Sequence, residues 1–307
     1  MVDRKHVDCR TKVFEFCDDE STAYAILSHR WIDPTEVDYE EMVDLTKMNV
    51  EERDGIRQRQ GYTTILDTCE QAKRDGCQWV WVDTCCIDRR GSAELSEAIN
   101  SMYRWYANSR VGYTYLHDVH GSIQTMIAPS NVQFFNTNRE CIGDKKMLAR
   151  ILTCITRVPV HILKEGLFGN RPCVAQIMSW AANRRTTRVE DRAYSLMGLL
   201  DVNMPILYGE GKKAFHRLQL EIIRTSNDQR IFAWGHINRT GSILADDPSF
   251  FSHCSEVELL DYDKFLDYLT KCHLQVELPW INPDCCGMFP ITNRGIHIWM
   301  LLQASPL

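Results

Sequence analysis

An α/β fold built on a parallel sheet follows from three features of the sequence. Strand-like apolar runs alternate with helical periodicity through the first 120 residues. The helical stretches lie between the runs, so they act as crossovers that cover both faces of the sheet. Polar and aromatic residues crowd the carboxyl ends of the runs, where open parallel sheets take their ligands.

The first strand is Tyr24–Ser28. Residues 33–61 are polar and charged and read as a surface excursion with some helix. From Thr63, Ile65, Cys69 and Ala72 fall on one helical face, and Gly76 is placed to stop the helix. Trp79–Asp83 is β-branched and aromatic, the pattern of a buried strand. A second helix spans 92–107, with Leu95, Ile99, Met102, Tyr103 and Tyr106 as its apolar stripe and Glu94, Glu97, Ser101 and Arg104 opposite. Val111–Leu116 is the third strand.

Beyond Asp118 the rhythm changes. Residues 121–143 are irregular, with a strand at Val132–Phe135. Helices are expected at 145–156, at 173–185, from Thr187 as a capping threonine to Gly198 as a terminal glycine, and at 211–225 with Phe215, Leu218 and Ile222 inward. The last 75 residues carry short alternating runs such as Gly295–Leu302 and read as β-rich. The expected division is an α/β domain at 1–143, a helical extension at 144–230 and a β-rich segment at 231–307. The end at Gln303–Leu307 follows directly on a strand-like run and reads as a β unit cut short.

Composition excludes several classes. With 44% hydrophobic and 25% charged residues the chain is neither disordered nor fibrous. A net charge of −6 lacks the basic footprint of nucleic-acid binding. No apolar run approaches the roughly 18 residues of a membrane span. Met1–His6 is charged and lacks a signal-peptide core. Thirteen cysteines, an odd count without an export signal, point to free thiols and a cytoplasmic location.

The strand-end rule selects Ser28, His29, Arg30 and Trp31, then Asp83, Thr84, Cys85, Cys86 and Asp88, then His117 and Asp118. Ser28, His29, Arg30, Trp31, Asp83 and Cys85 are expected to line one ligand-binding cleft. Arg30 would supply a fork suited to phosphate and Trp31 a ring that stacks on a base. The competing reading makes Asp83 and Asp88 turn caps and Trp31 a core residue. Cys85-Cys86 and Cys285-Cys286 are adjacent pairs without zinc spacing, so no metal site is expected. A thiol nucleophile at Cys85 or Cys86 with His29 or His117 is chemically allowed, but no spacing supports it. Gly209-Glu210-Gly211-Lys212-Lys213 lacks the phosphate-loop spacing and reads as a helix-opening turn.

Three blocks carry a family resemblance: Tyr24–Trp31, Val80–Asp88 and Ala93–Ala107. They resemble the first two signature blocks of the fungal heterokaryon-incompatibility (HET) domain, and residues 168–180 and 188–211 resemble the segment that usually follows it. The resemblance implies programmed cell death on fusion of unlike hyphae, as a self-associating or receptor-coupled effector, with itself or another incompatibility protein as partner. It also implies a TIR/flavodoxin-like sheet. Because many TIR domains cleave NAD with a glutamate, it implies NAD as a candidate substrate or ligand, with no cofactor required; the net charge and the short apolar runs are what argue against a nucleic-acid or membrane partner. The family's third block departs here. His120–Pro129 places Thr125 where that glutamate is expected, and a threonine hydroxyl cannot act as an ionised carboxylate. Glu94 is the nearest alternative acid. The balance favours an interaction module, with NAD glycohydrolase as the alternative and a cysteine hydrolase a distant third.

Overall fold

The computed structural model describes residues 4–9, 14–17, 22–29, 31, 34–45, 47–115, 123–167, 171–235, 242–257, 270–271, 291–292 and 295–296. A seven-stranded sheet forms its centre. The strands are β1 (Arg4–Asp8), β2 (Phe14–Cys17), β3 (Tyr24–Ser28), β4 (Trp79–Val82), β5 (Val111–Tyr115), β6 (Val132–Phe135) and β7 (Cys141–Asp144), in the order β2-β1-β4-β3-β5-β6-β7. The four central strands are parallel, and β1, β2 and β7 are antiparallel additions.

The three anticipated parallel strands are present, yet β4 and β5 are not neighbours, because β3 lies between them. Chain order alone cannot reveal this. The helix after β3, α3 (Gln60–Arg74), covers one flank and buries Ile65, Cys69 and Ala72 as their spacing requires. Gly76 follows it with φ +75°, the left-handed turn that ends a helix at little cost for glycine. The polar excursion before α3 holds α1 (Tyr39–Asp44) and α2 (Val50–Arg57), each opened by a capping box, Asp38 with Glu41 and Asn49 with Glu52.

After β4 come the short α4 (Asp83–Cys86) and then α5 (Ser92–Asn108). The expected single stripe of α5 is corrected. Ala98, Trp105 and Tyr106 are buried against the sheet, whereas Ile99 and Tyr103 pack on a second core behind the helix. An interior helix has two apolar faces because it has two neighbours.

That second core is built from α6 (Ile123–Ile127), β6 and the helices α7 (Ala149–Thr156), α8 (Val160–Glu165), α9 (Val174–Trp180), α10 (Asp191–Leu200) and α11 (Lys213–Thr225). Phe215, Leu218 and Ile222 face inward as expected. Two calls on α10 need correction. Its N-cap is Glu190, so Thr187 lies outside the helix. Gly198 is not terminal either. The helix runs on to Leu200, and Gly198 marks its point of closest approach to α5.

Of the expected β-rich segment, the described residues show 3-10 turns at Gln229–Phe232 and Pro248–Phe251 and a small antiparallel pair, β8 (Ile291–Thr292) with β9 (Gly295–Ile296). Residues 297–302 of the predicted run lie outside the described residues. The charged β1 and the strand β2 went unpredicted. Arg4–Asp8 has no apolar alternation, and β1 is ordered by pairing with β4. Among the described residues, no helix is long and apolar enough to cross a membrane.

Candidate functional site at the carboxyl edge of the parallel strands

The parallel register aligns Leu27 with Val82 and with Tyr113, so the residues after β3 and β4 leave the sheet from one edge. Ser28, His29, Trp31 and Asp83 all stand there. Arg30, His117 and Asp118 lie outside the described residues.

Asp83 is the hub. Trp31 Nε1 donates to its Oδ1 at 3.2 Å, and Arg89 Nη2 donates to its carbonyl oxygen at 3.0 Å. The Arg89 guanidinium lies 3.6 Å from the centroid of the Trp31 ring, a stacked cation–π contact worth about 1 kcal/mol. Trp31 is 47% exposed, so it is not a core residue. Burial pushes the Asp83 carboxyl up, while His29, Arg89 and the Trp31 hydrogen bond hold it down. Burial likewise lowers Arg89, and the Asp83 charge is the main influence opposing this. Beside them His29 Nε2 lies 3.0 Å from Glu36 Oε2.

The cap reading is right for one of the two aspartates. Asp88 Oδ1 accepts the Arg90 N–H at 3.0 Å, closing the turn, and Asp88 also pairs with the Arg90 guanidinium. Asp83 instead opens α4 without capping it, because the N-cap is Val82. Glu94 is exposed in the first turn of α5, and its Oε1 accepts the Asp88 N–H at 3.3 Å. Thr125 is buried on α6, beside Gln124, which donates to the Ser195 carbonyl.

Cys85 is fully buried beneath this edge. Its hydrogen bond with Cys86 and its burial both push the thiol well above its ordinary value, the opposite of an activated nucleophile. Among the described residues, no group of three or more His, Cys, Asp or Glu side chains is arranged to hold a metal. Cys9, Cys69, Cys77, Cys85, Cys86, Cys173 and Cys254 are free and buried, and Cys141 and Cys154 are free and exposed. Native protein treated with a thiol reagent without reductant is therefore expected to be modified at Cys141 and Cys154 before any of those seven buried thiols, read by peptide mass spectrometry. Rapid labelling of Cys85 or Cys69 would contradict the buried geometry.

A second layer comes from the helical extension. The Tyr208 hydroxyl donates to Asp191 Oδ1 at 3.0 Å. Arg188 lies over the Tyr208 ring. Glu190 Oε1 accepts the backbone N–H groups of Gly209 and Gly211 at 2.8 and 3.0 Å. Gly209 and Gly211 have φ values of +99° and +60°, so the turn before α11 presents its amides as a concave anion cradle. The chain fills that cradle with its own carboxylate, in keeping with a structural turn.

Two cavities lie elsewhere. One of about 330 Å³ is lined by Asn100, Tyr103, Arg104 and Asp201 between α5 and the end of α10. One of about 140 Å³ lies beside α3, with Tyr113, Tyr115 and Phe135 in its lining. Neither is lined by Trp31, Asp83 or Arg89.

The sequence reading missed Arg89, Glu36 and Glu190. Arg89 follows Asp83 by six residues, and no periodicity marks a guanidinium that folds back onto an indole.

Residues 24–168 match the family described as heterokaryon incompatibility protein (HET). The chain carries a HET domain. It is also 38% identical over 226 residues to the vegetative incompatibility protein HET-E-1 of Podospora anserina, an alignment that covers 65% of this chain and 16% of that protein. This chain thus corresponds to a small part of that relative's length. Residues 213–242 match a domain of unknown function, DUF8212. No solved structure matches the chain. The HET match spans all four parallel strands and contains His29, Trp31, Asp83, Arg89 and Glu94. Tyr208 and the Glu190 cradle lie beyond it, in the part that packs behind α5.

Proposed function

We propose that this chain is a vegetative-incompatibility module of the programmed-cell-death class, acting by self-association or by coupling to a receptor rather than by catalysis. The HET match and the likeness to HET-E-1 support the class. The parallel strands, numbered by their own sequence, run in the order 2-1-3-4, which supports a TIR/flavodoxin-like sheet.

The observation that carries the module reading is the state of the strand-end acids. Asp83 is engaged by Trp31, Glu36 by His29, Asp88 by Arg90, and Glu94 by a backbone amide. A glycosidic-type cleavage needs a carboxylate presented to a ribosyl centre. What the edge presents instead is a half-exposed tryptophan stacked on an arginine, the two residue types most often found at the energetic centre of interfaces.

The test has two arms. Expression of the chain in hyphae is expected to cause death that Trp31→Ala or Arg89→Ala abolishes. Purified protein incubated with NAD is expected to release nicotinamide only at background. Robust release that Glu94→Ala abolishes would replace this reading with the NAD glycohydrolase one.

A further inference from the structure

Among the exposed large hydrophobic side chains, three belong to one ridge. Met147, Ile151 and Ile155 are 74%, 59% and 54% exposed. Ile151 and Ile155, four residues apart, share one face of α7, and Met147 stands in the turn that leads into the helix. The opposite face is the buried one: Ala149 and Leu152 belong to the second core. The ridge therefore does not result from a poorly packed helix. α7 is anchored on one side and apolar on the other.

The charges around the ridge are mostly basic. Lys146, Arg150, Arg157 and Lys164 are all exposed, and the acids that flank this stretch are Asp144, whose carboxylate is taken up by the Lys146 and Met147 N–H groups, and Glu165. Elsewhere acids outnumber bases, for a chain total of −6. Arg150 belongs to α7 itself, with Lys146 in the turn before it and Arg157 at its C-cap. Arg157 is held in place by a hydrogen bond from its Nη1 to the Ser252 carbonyl at 3.2 Å.

We propose that this face of α7 seats the protein on an anionic lipid surface. A bilayer surface offers what the face lacks: acyl boundary for Met147, Ile151 and Ile155, with phosphate and carboxylate headgroups at the level of the flanking cations. The alternatives fit less well. A second copy laid on the same face would bring Lys146 and Arg150 against their like-charged counterparts. An acidic peptide helix would need a groove to receive it, and neither of the two cavities described above is lined by Met147, Ile151 or Ile155. The inference departs from the sequence reading, which expected no membrane partner on the absence of a spanning apolar run; a helix that lies on a surface needs no such run.

The test is flotation of the full chain with vesicles of phosphatidylcholine alone, or with about a third of the lipid replaced by phosphatidylserine. Binding is expected only to the anionic vesicles, and weaker at high salt. Lys146→Glu with Arg150→Glu is expected to abolish it. Ile151→Ser with Ile155→Ser is expected to weaken it at least about tenfold, the loss of two buried apolar contacts. All four side chains are exposed, and unchanged circular dichroism and melting temperature will confirm that the variants fold. Absence of binding to anionic vesicles, or binding indifferent to both double variants, overturns the proposal. Concentration-dependent self-association lost on Ile151→Ser with Ile155→Ser, with no vesicle binding, overturns it in favour of a second copy.

Discussion

Gly198→Ala is expected to lower the stability of this protein by about 3 kcal/mol, the upper range for overpacking a well-filled contact. A Cβ at Gly198 would stand 2.1 Å from Tyr103 Cβ and 2.7 Å from its Cγ. Because Tyr103 Cβ is fixed to the α5 backbone, no rotamer change relieves the clash, and the two helices must move apart. Truncation to Tyr103→Ala keeps that Cβ and is not expected to rescue, whereas Tyr103→Gly makes room at the expense of its own packing. Thermal melting should fall by about 6–12 °C. Gly55 in α2 is the internal control. Nothing lies within 4 Å of its Cβ position, so Gly55→Ala should be neutral or stabilising by about 0.5–1 kcal/mol. If both alanine variants melt alike, close packing of α10 on α5 is refuted.

Glu190→Gln is expected to cost about 2 kcal/mol, because a buried carboxylate that accepts two backbone amides is replaced by a neutral group. The backbone N–H of its own residue, with those of Gly211 and Gly209, holds the Glu190 carboxyl below its ordinary value. The sign follows from linkage. The folded state binds this proton less readily than the unfolded chain. Its stabilisation is therefore fully present above the ordinary glutamate range and is lost as pH falls through the lower folded value. The gap between wild type and variant should be widest near neutrality and close in acid. A gap that stays constant from pH 7 to pH 3 (by urea unfolding) would show that the carboxylate charge is not what stabilises the turn.

The local elements of the sheet are legible in the residues alone. Tyr24–Ser28, Trp79–Val82 and Val111–Tyr115 are short apolar runs whose burial on both faces leaves no other assignment, and Ile65, Cys69 and Ala72 mark the inner face of α3 by spacing alone. The strand-end rule then places Ser28, His29, Trp31 and Asp83 at one edge, because parallel strands point the same way regardless of their order. Even the HET blocks are local runs of residues and need no tertiary information to be seen.

Contacts distant in sequence are a different matter. That β3 separates β4 from β5, that α5 is buried on two sides, and that Gly198 serves a helix contact rather than a helix end all depend on which elements become neighbours. A sequence pattern records which side of an element is apolar, but not what covers it. The same limit explains Arg89 over Trp31 and Glu190 in the Gly209–Gly211 cradle. A charged side chain is read from sequence as a solvated one, and only the folded chain shows that its partner is an indole ring or a pair of backbone amides brought to it from elsewhere in the chain.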